Sequence, residues 1–325
     1  MNIRVWAEYF SPAEALEQKV MNLLKKYNVT LGMAFPGGSI NDDYAKMLSE
    51  YEQAGIPVML WVLLPDEIGY WACESNASDF KNYVERIYDW SDANKFGIPW
   101  LAVDLETPYK QTELVRKSKG LDLIKNLVSV YKENRDRGRF YDAASQYSLL
   151  VEKLHARGTK VLTAASAHVA EDFVKGTISI QDAIETPISP VNWDIVSFML
   201  YTSMIAGYLK PFINHKDARW YLYSVMSDMK KALWDRAGIS IGVTYVGKLE
   251  DEPYYSTPEE LLPDMQAAKA ALINDISIYN LEGILRSPQP EKWFDVLLSC
   301  EAIVPEKSNK VDFIRKIMQA SAGMI

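Results

Sequence analysis

The chain has 325 residues, 48% of them apolar and 24% charged, with a formal net charge of −8. That balance describes a globular chain long enough for one large barrel or two ordinary domains. The excess of acid argues against a nucleic-acid partner, which needs a basic face. No uninterrupted apolar run of about eighteen residues exists, so no membrane-spanning helix is expected. Two cysteines, Cys73 and Cys300, and three histidines, His155, His168 and His215, lie far apart without metal-ligand spacing. Neither a disulfide framework nor a metal site is expected, and no cofactor is implied. The first residues run straight into a strand pattern with no signal-peptide design, so a cytoplasmic location is expected. The chain would be secreted only if a leader had been removed.

In chain order, residues 3–10 alternate as a strand, and Ser11-Pro12 opens a helix reaching residue 26. A second apolar run covers 29–35, and a helix over 42–54 ends at Gly55. Residues 56–64 form a third, almost wholly apolar strand, followed by an aromatic loop at Gly69-Tyr70-Trp71 and a helix over 78–94. Residues 97–105 are the fourth strand, which ends abruptly in Glu106-Thr107-Pro108. Helices are expected at 121–134 and 141–156, a fifth strand at 160–166 and a sixth at 193–202. A helix over 219–236 leads to the seventh strand, 239–246. A helix over 258–272 leads to the eighth, 275–281, and a helix over 290–299 follows. Eight apolar strands, nearly all followed by helix, point to parallel strands buried on both faces and closed into a single (β/α)8 TIM barrel. The barrel is assigned to residues 1–301. Residues 302–325 are a helical extension packed through Val311, Ile314, Ile317 and Met318.

In such a barrel the chemistry sits at the C-terminal strand ends. Those ends offer Glu8, Asp66, Glu67, Asp104, Glu106, His168, Tyr201, Tyr245 and Glu282. Carboxylates and tyrosines dominate, with no serine–histidine–acid set and no strand-end lysine for imine chemistry. Asp104 and Glu106 share a strand face, with backbones roughly 6.5–7 Å apart. Each carboxylate makes the other harder to ionise, which suits one of them to protonate a glycosidic oxygen. The plainer reading is a strand end whose acids cap a helix or meet a lysine. Tyr201 is either a donor to substrate or a packing residue. Glu282 is either a nucleophile facing the pocket or a solvated acid, and Asp66 carries the same ambiguity. Trp71 is either a sugar platform or a ring tucked against a helix.

The fourth strand resembles that of family-18 glycoside hydrolases, the chitinases and endo-β-N-acetylglucosaminidases, whose signature is D-x-x-D-x-D-x-E. Asp104 matches its last aspartate and Glu106 its glutamate, while Pro99 and Ala102 stand at the first two aspartates. Leu162-Thr163-Ala164-Ala165 is similar to the family's fifth strand. Phe198-Met199-Leu200-Tyr201 resembles its M-x-Y motif, with Thr202 where an aspartate usually follows. A D-x-E strand end also resembles family-25 lysozymes. The family-18 resemblance implies a retaining, substrate-assisted hydrolase of N-acetylhexosamine-type glycosides, without metal or cofactor. Glu106 would be the general acid, Asp104 the carboxylate orienting the acetamido group, and Tyr201 its hydrogen-bond donor. Glu8, Asp66, Trp71, Met199, Tyr245 and Glu282 are the expected substrate-binding residues. The alternatives are a chitinase-like carbohydrate-binding barrel without catalysis, a glycosidase with Glu282 as nucleophile, or a carboxylate-based isomerase or lyase using a divalent ion.

Overall fold

The computed structural model describes residues 1–117 and 134–323. The helix expected at 121–134 lies almost wholly outside the described residues. Eight parallel strands close into one barrel: β1 Asn2–Ala7, β2 Thr30–Phe35, β3 Val58–Val62, β4 Trp100–Leu105, β5 Lys160–Ser166, β6 Ile195–Met199, β7 Ala237–Gly242 and β8 Asp275–Tyr279. Each pairs with its neighbours in sequence, and β8 closes on β1, with Trp6 opposite Tyr279. The expected (β/α)8 architecture is the one observed.

Strand alternation sorts side chains into two cores. Outward residues such as Leu31, Phe35, Val103, Phe198 and Ile278 pack beneath the surrounding helices. Inward residues, among them Trp6, Met59, Trp61, Ala102 and Leu162, fill the barrel. At its base Arg4 pairs with Asp275 at 2.8 Å and lies 4.1 Å from the Trp100 ring centroid. Above that layer Trp6 needs room. Gly32 provides it, because a Cβ there would sit 2.9 Å from the Trp6 ring.

Several boundaries differ from the sequence expectation, each for a local reason. β1 stops at Ala7 because the N–H groups of Glu8 and Tyr9 are taken by a side chain, Glu282, rather than by a neighbouring strand. The first helix divides into Pro12–Ala15, held by a Ser11–Glu14 capping box, and Gln18–Tyr27. β8 stops at Tyr279 because the Asn280 side chain accepts the N–H of Gly283 and starts a helix, Leu281–Arg286. β7 begins two residues early and ends at Gly242.

The C-terminal helix Asn309–Gly323 is present, but its buried face is not the expected one. Val311 is buried, whereas Ile314 and Ile317 are exposed. Arg315 turns inward instead, to Glu171 at 2.6 Å and Asp228 at 3.1 Å, and Gln319 joins Glu171 at 2.7 Å. Glu171 is fully buried, so meeting its charge fixes the rotation of the helix. Among the described residues no helix is long and apolar enough to cross a membrane.

Candidate active site

A cavity of about 210 Å³ opens at the C-terminal ends of the strands. It is lined by the upper inward residues of the barrel core and by those just above them. They are Trp6 and Glu8 of the β1 line, Trp61 of β3, Asp104 and Glu106 of the β4 line, Ala164 and Ser166 of β5, Met199 and Tyr201 of the β6 line, and Tyr279 of β8. Trp71, Lys248, Leu249 and Glu252 enter from loops.

Glu106 lies one residue beyond β4, yet its backbone is fixed. Ala72, in the loop after β3, donates its N–H to Asp104 O at 3.0 Å and accepts the N–H of Glu106 at 3.1 Å. This bridge extends the sheet across the two carboxylates and brings Trp71 to the cavity wall. Tyr201 reaches the cavity from the end of β6, and its hydroxyl lies 3.1 Å from Ser240 Oγ. The indole of Trp6 donates to the same Ser240 oxygen at 3.0 Å. Trp6 and Trp61 meet edge-on at 5.1 Å, and Tyr201 and Tyr279 lie 5.6 Å apart.

Four carboxylates share this enclosure, and its electrostatics follow from that crowding. Burial pushes Asp104 well above the usual carboxylate range, and the Glu8 charge adds to the shift. The Trp61 indole N–H opposes it. Burial raises Glu106 as well, reinforced by the charges of Asp104, Glu8 and Glu252. Glu252 is pushed up to about 7 by burial, against the pull of the Gly247 N–H that it accepts. Glu8 is also raised by burial, but Tyr279 and Tyr70 both donate hydroxyls to it, the latter at 2.6 Å, and they favour its ionised form. This crowding favours the protonated form of Glu106, while the tyrosine donors favour the ionised form of Glu8, a division that suits acid-assisted chemistry. Among the described residues no three His, Cys, Asp or Glu side chains are grouped to hold a metal ion.

Of the residues singled out in the sequence, the structure brings Glu8, Trp71, Asp104, Glu106, Met199 and Tyr201 to one cavity. Five others lie elsewhere, among them Glu67, in the same exposed turn as Asp66, and His168, in the 3-10 turn after β5. Asp66 sits in an exposed 3-10 turn and pairs with Lys248 at 2.8 Å, bracing a cavity-lining lysine from outside. Tyr245 carries the Arg286 guanidinium over its ring at 3.7 Å and meets Tyr254 at a tilt, 5.6 Å away. Glu282 lies in the first turn of the helix after β8, where one carboxylate oxygen accepts the N–H groups of Glu8 and Tyr9 at 2.7 and 2.8 Å. It holds Glu8 from behind and does not line the cavity. Thr202 is turned away too, bonded to Tyr255 at 2.8 Å and to Asp264.

Sequence reasoning missed Trp6, Trp61, Tyr279, Lys248 and Glu252. Counting back two residues from Glu8 reaches Trp6, so that one was available. Tyr279 was available as the last residue of β8. Lys248 and Glu252 belong to an irregular loop whose course carries no periodic signal.

No protein-family model matches the chain, and no curated protein matches it. Solved structures do. The glycoside hydrolase domain of PgaB (BpsB) from Bordetella bronchiseptica is 12% identical, with a TM-score of 0.54 over 91% of this chain and 98% of that one. A chitinase from Chromobacterium violaceum is 11% identical, with a TM-score of 0.53 over 92% and 99%. An L-ribulose 3-epimerase is 9% identical, with a TM-score of 0.46 over 100% and 96%. At these identities the likeness is one of fold, and the chemistry has to be read from the cavity itself.

Proposed function

We propose that this barrel is a retaining glycoside hydrolase of N-acetylhexosamine-type glycosides that uses the substrate's own acetamido group as nucleophile. The observation that carries the reading is the meeting of Asp104, Glu106 and Tyr201 in one aromatic-walled cavity. Glu106 donates a proton to the leaving oxygen, and its burial and the charges of Asp104, Glu8 and Glu252 favour its protonated form. Asp104 orients the acetamido group, whose carbonyl oxygen attacks the sugar carbon as the glycosidic bond breaks. It also stabilises the positive charge of the cyclised intermediate. Tyr201 donates a hydrogen bond to that acetamido group. Water then opens the intermediate, with Glu106, now ionised, as its base. Trp6, Trp61 and Trp71 offer faces and edges for the sugar ring.

The commitment of Glu282 to two backbone N–H groups supports the substrate-assisted route. One protein carboxylate nevertheless suits a nucleophile: Glu8, which faces the cavity with two tyrosine hydroxyls donating to it. A thiazoline derived from the N-acetylated sugar mimics the cyclised intermediate and is expected to bind far more tightly than the parent sugar. A 2-fluoro glycoside of the same sugar is expected to leave no adduct. A covalent adduct mapped to Glu8, without thiazoline inhibition, would replace the acetamido group by that carboxylate. Failure of every glycoside to be cleaved, with sugars still bound, would leave a carbohydrate-binding barrel.

A further inference from the structure

The reaction proposed above gives no task to the indole nitrogen of Trp61, a buried polar atom in the cavity wall. The register of β3 on β4 sets Trp61 directly beside Ala102, one pleat below Asp104 on the same face. Ala102 brings only a methyl group, so β4 itself supplies no polar neighbour beneath Asp104. Trp61 Nε1 and Asp104 Oδ1 are both buried, and neither has a hydrogen-bond partner among the described residues. Both side chains line the same cavity, and the indole N–H acts to favour the charged form of Asp104. The ring is steadied by edge-on contacts with Trp6 at 5.1 Å and Tyr279 at 6.4 Å.

The other groups around Asp104 are already engaged or repel it. Glu8 of the β1 line and Glu106 of the β4 line are acids. Tyr70, from the loop after β3, gives its hydroxyl to Glu8, and so does Tyr279 of β8. The Tyr201 hydroxyl, 3.1 Å from Ser240 Oγ, is given to the substrate in the reaction above, and Lys248 is paired with Asp66. Glu252 adds negative charge from the loop after β7. An ionised Asp104 therefore finds its available donor in Trp61, and an N–H bonds a carboxylate more strongly than a neutral acceptor.

We propose that Trp61 is a positioning residue that holds Asp104 through its indole N–H, supplying the polar neighbour that Ala102 does not. The assignment rests on the role given to Asp104 above, but the contact can be tested without turnover. The full chain, labelled with ¹⁵N in its nine tryptophans, gives nine indole N–H signals to follow against pH. One signal is expected to move with a carboxylate titration, to be missing in Trp61→Phe and to stop moving in Asp104→Asn. Trp61→Phe keeps the ring and removes the donor. It is expected to lower kcat roughly tenfold with KM within about twofold. The acid limb of the pH–rate profile should move up by roughly one unit, because loss of the donor disfavours the ionised carboxylate. If no indole signal depends on Asp104, or if a folded Trp61→Phe keeps the parent's pH limb, the proposal is overturned. Should Trp61→Phe not fold, the Asp104-dependent signal must persist in Trp6→Phe and Trp71→Phe, the other cavity tryptophans, and its loss in either overturns the proposal. A dependent indole in a chain that cleaves no glycoside would count against the hydrolase reading and leave the contact standing.

Discussion

Oε1 of Glu282 accepts the backbone N–H of Glu8 at 2.7 Å, which joins the start of the helix after β8 to the end of β1. The same oxygen accepts the N–H of Tyr9 at 2.8 Å. One side chain thus replaces two strand hydrogen bonds exactly where Glu8 must turn into the cavity, and burial holds its acid at about 6. Glu282→Gln keeps an acceptor oxygen and is expected to retain activity within about tenfold. Glu282→Ala leaves two N–H groups without their acceptor and is expected to cost about 1–3 kcal/mol in denaturant unfolding. A Glu282→Gln variant with activity lost by several orders of magnitude and an unchanged fold would return Glu282 to the chemistry.

Tyr279 closes the other side of Glu8, and the closeness of Gly247 sets a second expectation. A Cβ on Gly247 would lie 1.7 Å from the Tyr279 hydroxyl and 3.0 Å from Glu8 Oε2, so a side chain there displaces the tyrosine. Gly247→Ala is expected to reproduce the kinetic defect of Tyr279→Phe, since both take the same donor from Glu8. Adding Tyr279→Phe to Gly247→Ala should then cost little more, which a double-mutant cycle measures. Full additivity would mean that the two residues act separately.

Buried acids also set how stability depends on pH. Burial pushes Glu74 to about 8 despite its 3.1 Å ion pair with Arg139, and Asp264 to about 7 despite its bond to Thr202. Their ordinary values are 4.5 and 3.8, so the folded chain keeps protons that the unfolded chain has released. Stability is therefore present in full below about pH 4 and is lost as pH rises through the folded values. The Tm is expected to fall between pH 5 and pH 8. Glu74→Gln removes one of the titrating groups while keeping an acceptor for Arg139, and its Tm should fall less over that range. A parent Tm that rises across the same interval would contradict the assigned shifts.

The barrel was legible because the strands are largely apolar, unbroken in β3, with turn residues after most of them. Parallel strands buried on both faces need that pattern. Asp104 and Glu106 were legible because acids terminate an apolar run, and strand alternation puts them on one face. The unbroken run of β3 hides which aromatic residue turns inward, so Trp61 gave no sign of its place. Glu282 was misplaced because strand or helix at that point depends on one side chain, Asn280, capping the N–H of Gly283. Asp66 and Tyr245 follow their strands closely in sequence, but a 3-10 turn holds the first outside, and the second is taken by Tyr254 and Arg286. Proximity to a strand end fixes a residue's height in the barrel and leaves its direction open.

The separate roles of Asp104 and Glu106 give the sharpest expectation, because leaving-group chemistry tells an acid from an orienting carboxylate. Glu106→Gln keeps the shape and loses the transferable proton. Turnover of an unactivated glycoside should fall by about a hundredfold or more, with the fold retained. A substrate with a good leaving group needs little protonation, so much of that loss should disappear. Asp104→Asn should behave in the opposite way. The sugar carbon must still be attacked whatever leaves, and a neutral amide steadies the positive intermediate poorly. Its defect is expected to persist, or to be the larger of the two, on the activated substrate. The comparison requires kcat/KM for both variants on a series of leaving groups of graded acidity. Parallel slopes for the two variants would show that the carboxylates do not divide the work in this way.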